Sequence, residues 1–386
     1  MRRLLNEGWE FALLPLGSGL EQACQAAWQA VDIPHDWLIW DADHLYENGD
    51  GWYRRTLAVP EAEEGKYWSL RFDGVYMDCD VLLDGQVIRT HRYGYTPFDA
   101  ELKNLTPGAH ELMVHVRCQS PNSRWYSGAG IYRDVILSVL PERHLVPDSL
   151  YVHAEPEGDS LTGSWRVEVE AEIVGGAGNA EPAFLTLTDA DGAEAASGAM
   201  DERGDKLTAV LHIPAGRLWD CRSPHLYSLS LTLAGETYTS RIGLRTTAFD
   251  PDRGFLLNGE RIKLHGVCLH HDLGALGSAF NPVAFRRQIR LMKDMGVNAL
   301  RTSHNPPAAR AMDILDEEGI LVIDEAFDMW ERPRRPMTTP ASSRTAGRRI
   351  SPPWCAGTGI IPVSSSGRWA TRSTIPLPPP GARRSP

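Results

Sequence analysis

Short runs in which apolar and polar residues alternate fill roughly the first 140 positions of the chain. Along YWSLRFDGV, Trp68, Leu70 and Phe72 fall on one side of an extended backbone and Ser69, Arg71 and Asp73 on the other. That period of two is what a strand with one buried face requires. Leu112, Val114 and Val116 repeat it in HELMVHVRC, and Asp84-Gly85 in VLLDGQVI is a hairpin-turn pair. Many short strands separated by turn residues predict a jelly-roll sandwich over residues 1–142. Residues 143–247 use the same grammar in a smaller unit. Trp165, Val167, Val169, Ala171 and Ile173 alternate, as do Leu229, Leu231 and Leu233, with Gly/Ala-rich stretches between strands. An immunoglobulin-like sandwich without its disulfide is the expectation.

Near residue 255 the period changes. RIKLHGVCL reads as a buried strand. A helix then opens at Asn281-Pro282, sets Phe285, Ile289 and Met292 on one face and closes at Gly296. VNALRT is a second apolar strand; a second helix starts around Pro307, with Ala308, Met312 and Leu315 on a face and Gly319 as its cap, and ILVIDEA is a third strand. Strand-helix-strand-helix-strand with short loops opens a parallel α/β unit, so residues 248–333 predict the first three βα units of an incomplete (β/α)8 barrel. Residues 334–386 lose all periodicity and are dense in Ser, Thr, Arg and Pro, which reads as an aberrant, disordered tail. A three-stranded barrel followed by such a tail is physically odd, because the sheet cannot close and keeps an open edge.

Composition narrows the function classes. A net charge of -11 opposes binding to a phosphate backbone, and no basic, aromatic-lined stretch offsets it. Nucleic acid is therefore not an expected partner. No segment approaches the roughly 18 apolar residues of a membrane span. The opening MRRLLNEGWEFALLPL is interrupted by Asn6, Glu7 and Glu10 and makes a poor signal peptide, so a cytoplasmic protein is expected. Cys24, Cys79, Cys118, Cys221, Cys268 and Cys355 are scattered with no CxxC, which favours unpaired thiols over a disulfide framework or a zinc site.

Candidate chemistry sits at the C-terminal ends of the three predicted barrel strands, where such barrels build their sites. The ends are His270-His271-Asp272, Arg301 to Asn305, and Asp324-Glu325. Taken singly, each is better explained as a satisfied loop or core residue than as a contact to substrate. Polar, hydrogen-bonding residues at all three ends together point to a polar ligand such as a sugar.

NALRTSHNP resembles the signature of glycoside hydrolase family 2: Asn, an apolar pair, Arg, two small residues, His, any residue, Pro. GVCLHHD, the stretch 281–306 and ILVIDEAFDMWE are similar to that family's barrel opening. IPHDW (33–37), GWYRRTLAVP (51–60), FDGVYMDCDVLLDG (72–85) and SGAGIYRDV (127–135) resemble its sugar-binding domain, and the order of domains is also the family's. The resemblance runs from about residue 5 to residue 333.

It implies a retaining glycosidase of β-galactosidase or β-glucuronidase type, acting on a β-glycoside or oligosaccharide without a cofactor. His271 and His304 would contact substrate hydroxyls and the transition state, with Asn305 and Asp324 in the same wall. Arg301 would hold the strand end by a buried ion pair with Asp324 or Glu325. Asn122 and Trp125 sit where the family's sandwich reaches toward the barrel site, with Ser123 where the β-galactosidase pattern has an acidic residue. DEAFDMWE departs from the family's magnesium ligands, so no metal is expected. The sequence does not identify the sugar; homo-oligomerisation is compatible with it but not read from it.

The resemblance also implies two catalytic Glu residues, one after an Asn at the fourth strand and one on a later strand. Neither motif is present, and Glu317, Glu318 and Glu325 are poor substitutes, so the expectation is a truncated, inactive chain. The tail suggests why. When each codon's third base is read with the next codon's first two, Met337-Thr338 must give Asp, Trp354-Cys355 Val and Trp369-Ala370 Gly. Codon degeneracy then allows DYARFF from 337–343 and DRNHPSVILWSMGNEIYDT from 357–376, the latter similar to the family's fourth strand and Asn-Glu motif. A frameshift near Arg335 is thus expected. The rival reading is a non-catalytic carbohydrate-binding or structural module.

Overall fold

The computed structural model describes residues 1–175, 182–325 and 328; the tail and its reframed strings lie outside them. The first unit is a sandwich of two antiparallel sheets. One has the order Arg2–Leu4, Val135–Leu140, Tyr67–Phe72, Phe98–Glu101. The other runs Gln29–Val31, Trp9–Leu14, Gly49–Val59, Gly108–Cys118, Asp78–Leu83, Gln86–His91. Trp68, Leu70 and Phe72 meet Leu112, Val114 and Val116 in one core, as the alternation requires. The other face of Tyr67–Phe72 is covered too: Arg71 pairs with Asp148 of the next unit at 2.5 Å.

The second unit is also two packed sheets. Trp165–Val174 pairs with Tyr151–Pro156, His144–Leu145 and Lys206–Ile213, while Phe184–Thr188 and Tyr227–Leu233 are central in the opposing sheet. Trp165, Val167, Val169, Ala171 and Ile173 all point into the core against Leu229, Leu231 and Leu233. Cys24, Cys79, Cys118, Cys221 and Cys268 are free thiols.

Three short antiparallel strands, Thr247–Asp250, Gly254–Leu257 and Glu260–Arg261, precede the parallel unit. Its strands are Gly266–Leu269, Ala299–Thr302 and Leu321–Ile323, with the second in the middle. Helices Pro282–Asp294 and Ala309–Glu318 connect them. Asn281 caps the first helix by accepting from the Val283 and Ala284 amides, both at 3.0 Å, a contribution of about 1 kcal/mol. Gly319 ends the second in the left-handed conformation, φ 72°. The sequence reading of RIKLHGVCL as a buried strand needs correction. Its barrel strand is confined to Gly266–Leu269, Arg261 belonging to the preceding antiparallel sheet; Gly266 and Cys268 are exposed, and Val267 and Leu269 are half-buried. Among the described residues this strand pairs on one edge alone. Val267 and Leu269 pack with the helices, while its other face carries Cys268 into the open. No helix among the described residues is long and apolar enough to cross a membrane.

Acid should loosen the first sandwich. His35 is 4% exposed, and burial pushes its imidazole down to about 4 despite the Asp36 carboxylate beside it. The folded state therefore leaves His35 neutral where the unfolded chain, with an ordinary His, binds a proton. Stability attributable to this site falls as pH drops from about 6.5 to about 4, by on the order of 3 kcal/mol in all. Chemical denaturation at about pH 7 and about pH 4.5 should show the loss, and a His35→Gln protein should lose less. Equal losses in the two proteins would remove His35 from the account.

Candidate active site

The site lies where the first sandwich meets the strand ends of the parallel unit. The junction is fastened at separate points. Arg133, 2% exposed, donates to the Pro306 carbonyl at 2.9 Å and to the Tyr95 carbonyl at 3.0 Å. The Phe280 amide donates to the Tyr132 carbonyl at 2.9 Å, and the Tyr93 hydroxyl donates to Asn305 Oδ1 at 2.7 Å. Arg124 pairs with Asp328. Asp36 accepts from the Ala129 amide at 3.0 Å on its own sandwich and from the Ser278 amide at 2.8 Å across the junction.

This fastening brings Trp125 over the barrel side chains. Its indole stacks on His270, centroids 4.8 Å apart and planes at 15°, and lies 5.3 Å from the His304 ring. The His270 and His304 rings are 5.5 Å apart. His270 Nδ1–H donates to the Ser303 carbonyl at 2.8 Å, and burial lowers its pKa, so the ring is neutral with Nε2 as a hydrogen-bond acceptor. His304 Nδ1 lies 3.0 Å from Glu325 Oε2 and 3.1 Å from Arg301 Nη2; with its proton on Nδ1 it donates to the carboxylate, and without it it accepts from the guanidinium. Arg301 Nε donates to the other oxygen, Oε1, at 2.7 Å, which makes Glu325 the ion-pair partner of Arg301. The pair is half-exposed rather than buried, at 38% and 25% of the two side chains. Arg301 also donates to Cys268 Sγ at 3.4 Å, a contact that lowers the thiol's pKa.

The other predicted residues fall around this cluster. His271 does not face Trp125. Its Nε2–H donates to the Ser127 carbonyl at 3.0 Å, its ring sits 5.3 Å from Tyr95 and 5.6 Å from Tyr132, and burial pushes it down to about 4. Asp324, 1% exposed, accepts from Thr302 Oγ1 at 2.9 Å, and the same hydroxyl accepts from the Glu325 amide at 3.0 Å. Asn305 is held by Tyr93, and Asn122 donates to the Gln119 carbonyl at 2.9 Å within its own loop. Glu317 lies elsewhere, at a helix end. Burial pushes its carboxyl up, but hydrogen bonds from Arg286, Arg241 and Arg310 outweigh that and hold it at about 2. Glu318 is paired with Arg286 at 2.8 Å. Tyr93 carried no signal in the sequence, since its partner Asn305 is 212 residues away.

Two sandwiches ahead of parallel βα units, with an indole from the first sandwich laid over strand-end imidazoles, define a modular protein built around a barrel mouth. Comparison with known families agrees. The model described as glycosyl hydrolases family 2, sugar binding domain, matches residues 30–141, that of glycosyl hydrolases family 2 matches 148–245, and that of the family's TIM barrel domain matches 251–331. The chain belongs to glycosyl hydrolases family 2. It is 36% identical over 357 residues to a β-galactosidase of Bacteroides ovatus, covering 85% of this chain and 41% of that enzyme. A β-glucuronidase of Bacteroides fragilis is 30% identical over 346 residues, covering 82% of this chain and 48% of the relative. Among solved structures, a β-glycosidase from Bacteroides vulgatus superposes with a TM-score of 0.77 at 30% identity, over 86% of this chain and 45% of that one. The chain thus spans less than half the length of these relatives.

Proposed function

We propose that the chain is the front part of a retaining exo-β-glycosidase acting on a β-galactoside or β-glucuronide, and that the cluster of Trp125, His270 and His304 seats the sugar. The observation that carries this reading is the indole face brought against two imidazoles at 4.8 and 5.3 Å. A pyranose has an apolar C–H face and a rim of hydroxyls, so the indole surface left uncovered by His270, beside hydrogen-bonding groups, suits it. His270 Nε2 offers an acceptor and His304 a second polar edge, while Asp324 is bonded to Thr302, Asn305 to Tyr93 and His271 to Ser127. The names of the relatives support the same substrate class.

Retaining hydrolysis needs one carboxylic acid to protonate the leaving oxygen and a second carboxylate about 5–5.5 Å away to attack the anomeric carbon. After Glu325 the sequence given holds only Asp328 and Glu331 as carboxylates. Glu325 itself is bound to Arg301 and His304. The proposal is therefore that this chain holds sugar without cleaving it, and that a frameshift near Arg335 separates it from an active parent. Sequencing the DNA from the codon for Glu331 to that for Pro386 tests this directly. An inserted or missing base with the frame open through Gly-Asn-Glu supports it; a shifted frame without that motif overturns it. Sugar seating has its own test. Trp125→Ala should weaken binding of a β-galactoside or β-glucuronide by about tenfold or more, measured by calorimetry. An unchanged affinity would place the sugar elsewhere.

A further inference from the structure

Away from the barrel mouth, the two sandwiches meet over a cleft of about 720 Å³, counting the space at its open side. Its floor is charged. Arg71, with 11% of its side chain exposed, lies 3.3 Å from Asp99 of the first sandwich and 2.5 Å from Asp148 of the second. Asp73 sits 3.3 Å from its Nε. The walls are aromatic: Tyr67 stacks on His144 at 4.5 Å, and Tyr238 is fixed by the Leu145 amide, which donates to its hydroxyl at 3.3 Å. Ser138 and Ser240 line the remaining side.

A cleft between domains, with a few polar groups converging among apolar walls, is how small-molecule sites are commonly built. Charge selects the ligand. Arg2 and Arg71 face Asp99 and Asp148 in the lining, and Asp73 against Arg71 adds a third carboxylate. A phosphate would meet two carboxylates, and a metal ion would meet a guanidinium already seated between them. A neutral polyol meets neither penalty. Carboxylates held by a guanidinium keep lone pairs for O–H donors, and serine and tyrosine hydroxyls both give and accept hydrogen bonds. Tyrosine rings cover C–H surface.

We infer that the cleft between the two sandwiches is a second carbohydrate site, which takes a neutral pyranose independently of the barrel mouth. Arg71 and Asp99 come from one sandwich, Asp148 and Tyr238 from the other, so a sugar held there bridges the two domains. The inference does not rest on the proposed catalytic role.

Saturation-transfer NMR on the full chain, with methyl β-galactopyranoside and methyl α-mannopyranoside as probes, tests it. Ser240→Trp fills the cleft and should weaken the response of at least one probe by about tenfold or more, whereas Trp125→Ala should leave that component in place. Asp148→Asn provides a second variant, since Asn tolerates the positive φ of 63° at this position. It removes the charge facing Arg71 and should weaken the same component. No response from either neutral sugar, a response from sodium glucuronate alone, or a response lost with Trp125→Ala but kept in both cleft variants would overturn the inference. A mouth component that survives Trp125→Ala would count against the sugar seating proposed above and leave the cleft standing.

Discussion

Restoring the proposed reading frame beyond Arg335 should yield a glycosidase, where the chain as given is expected to show no turnover. The purified 386-residue chain should release no p-nitrophenol from p-nitrophenyl β-galactoside or β-glucuronide above the buffer rate. The product of the corrected gene should cleave at least one of them with a kcat/KM on the order of 10⁴ M⁻¹s⁻¹ or higher. The size of the gap follows from what is missing. The described barrel strands hold the polar wall, but the carboxylate at their ends, Glu325, is ion-paired with Arg301 and hydrogen-bonded to His304. Retaining hydrolysis needs a carboxylic acid and a second carboxylate about 5–5.5 Å from it, and Glu325 alone supplies at most one of the two. In the shifted frame codon degeneracy permits a Glu across Thr371 and Arg372, after a Gly that is forced and an Asn that is permitted. Changing that Glu to Gln in the corrected protein should return it to background while its sugar binding persists. Turnover by the uncorrected chain, or an inactive corrected one, would sink the proposal.

Local order was legible because its causes are local. The alternation at Trp165 to Ile173 fixed which side chains enter the core, and Asn281-Pro282 and Gly319 fixed helix ends through capping chemistry that involves only near neighbours. Two things were not. The exposure of the first barrel strand depends on which strands pair with it, and no pattern within RIKLHGVCL records that. Nor does the run His270-His271 say which ring faces the mouth. Both are polar, both follow an apolar strand, and the choice is made by Trp125 on one side and by the Ser127 carbonyl with Tyr95 and Tyr132 on the other. Those partners lie far upstream, the Ser127 carbonyl 144 residues earlier, which is why the sequence marked the place of a site more readily than the role of each residue in it.

Asp36→Ala should be the most destabilising single substitution at the junction, by on the order of 4 kcal/mol. The side chain is 1% exposed and serves five donors. They are the amides of Leu38, Ala129 and Ser278 at 3.1, 3.0 and 2.8 Å, the Ser278 hydroxyl at 3.0 Å and the Tyr126 hydroxyl at 2.7 Å. Deleting the carboxylate leaves the backbone donors without an acceptor in a buried place. An unmade buried hydrogen bond costs about 1–3 kcal/mol, more than a made one contributes. Ser278→Ala removes one donor and leaves the carboxylate otherwise satisfied, so about 1 kcal/mol is expected there. Gly128→Ala approaches the same point from the other side. Its backbone has φ 68°, and a Cβ would lie 2.0 Å from Ser278 Oγ and 2.4 Å from Asp36 Oδ2, so the loop that carries Trp125 must shift. Urea unfolding should rank Asp36→Ala well below Ser278→Ala, with Gly128→Ala between them or lower. Because the junction carries Trp125 to His270, both severe variants should also weaken sugar binding at the mouth even where the protein remains folded. If Asp36→Ala proves no less stable than Ser278→Ala, the carboxylate is not what holds the sandwich to the barrel, and the position of Trp125 must be set by Arg133 and Tyr93 instead.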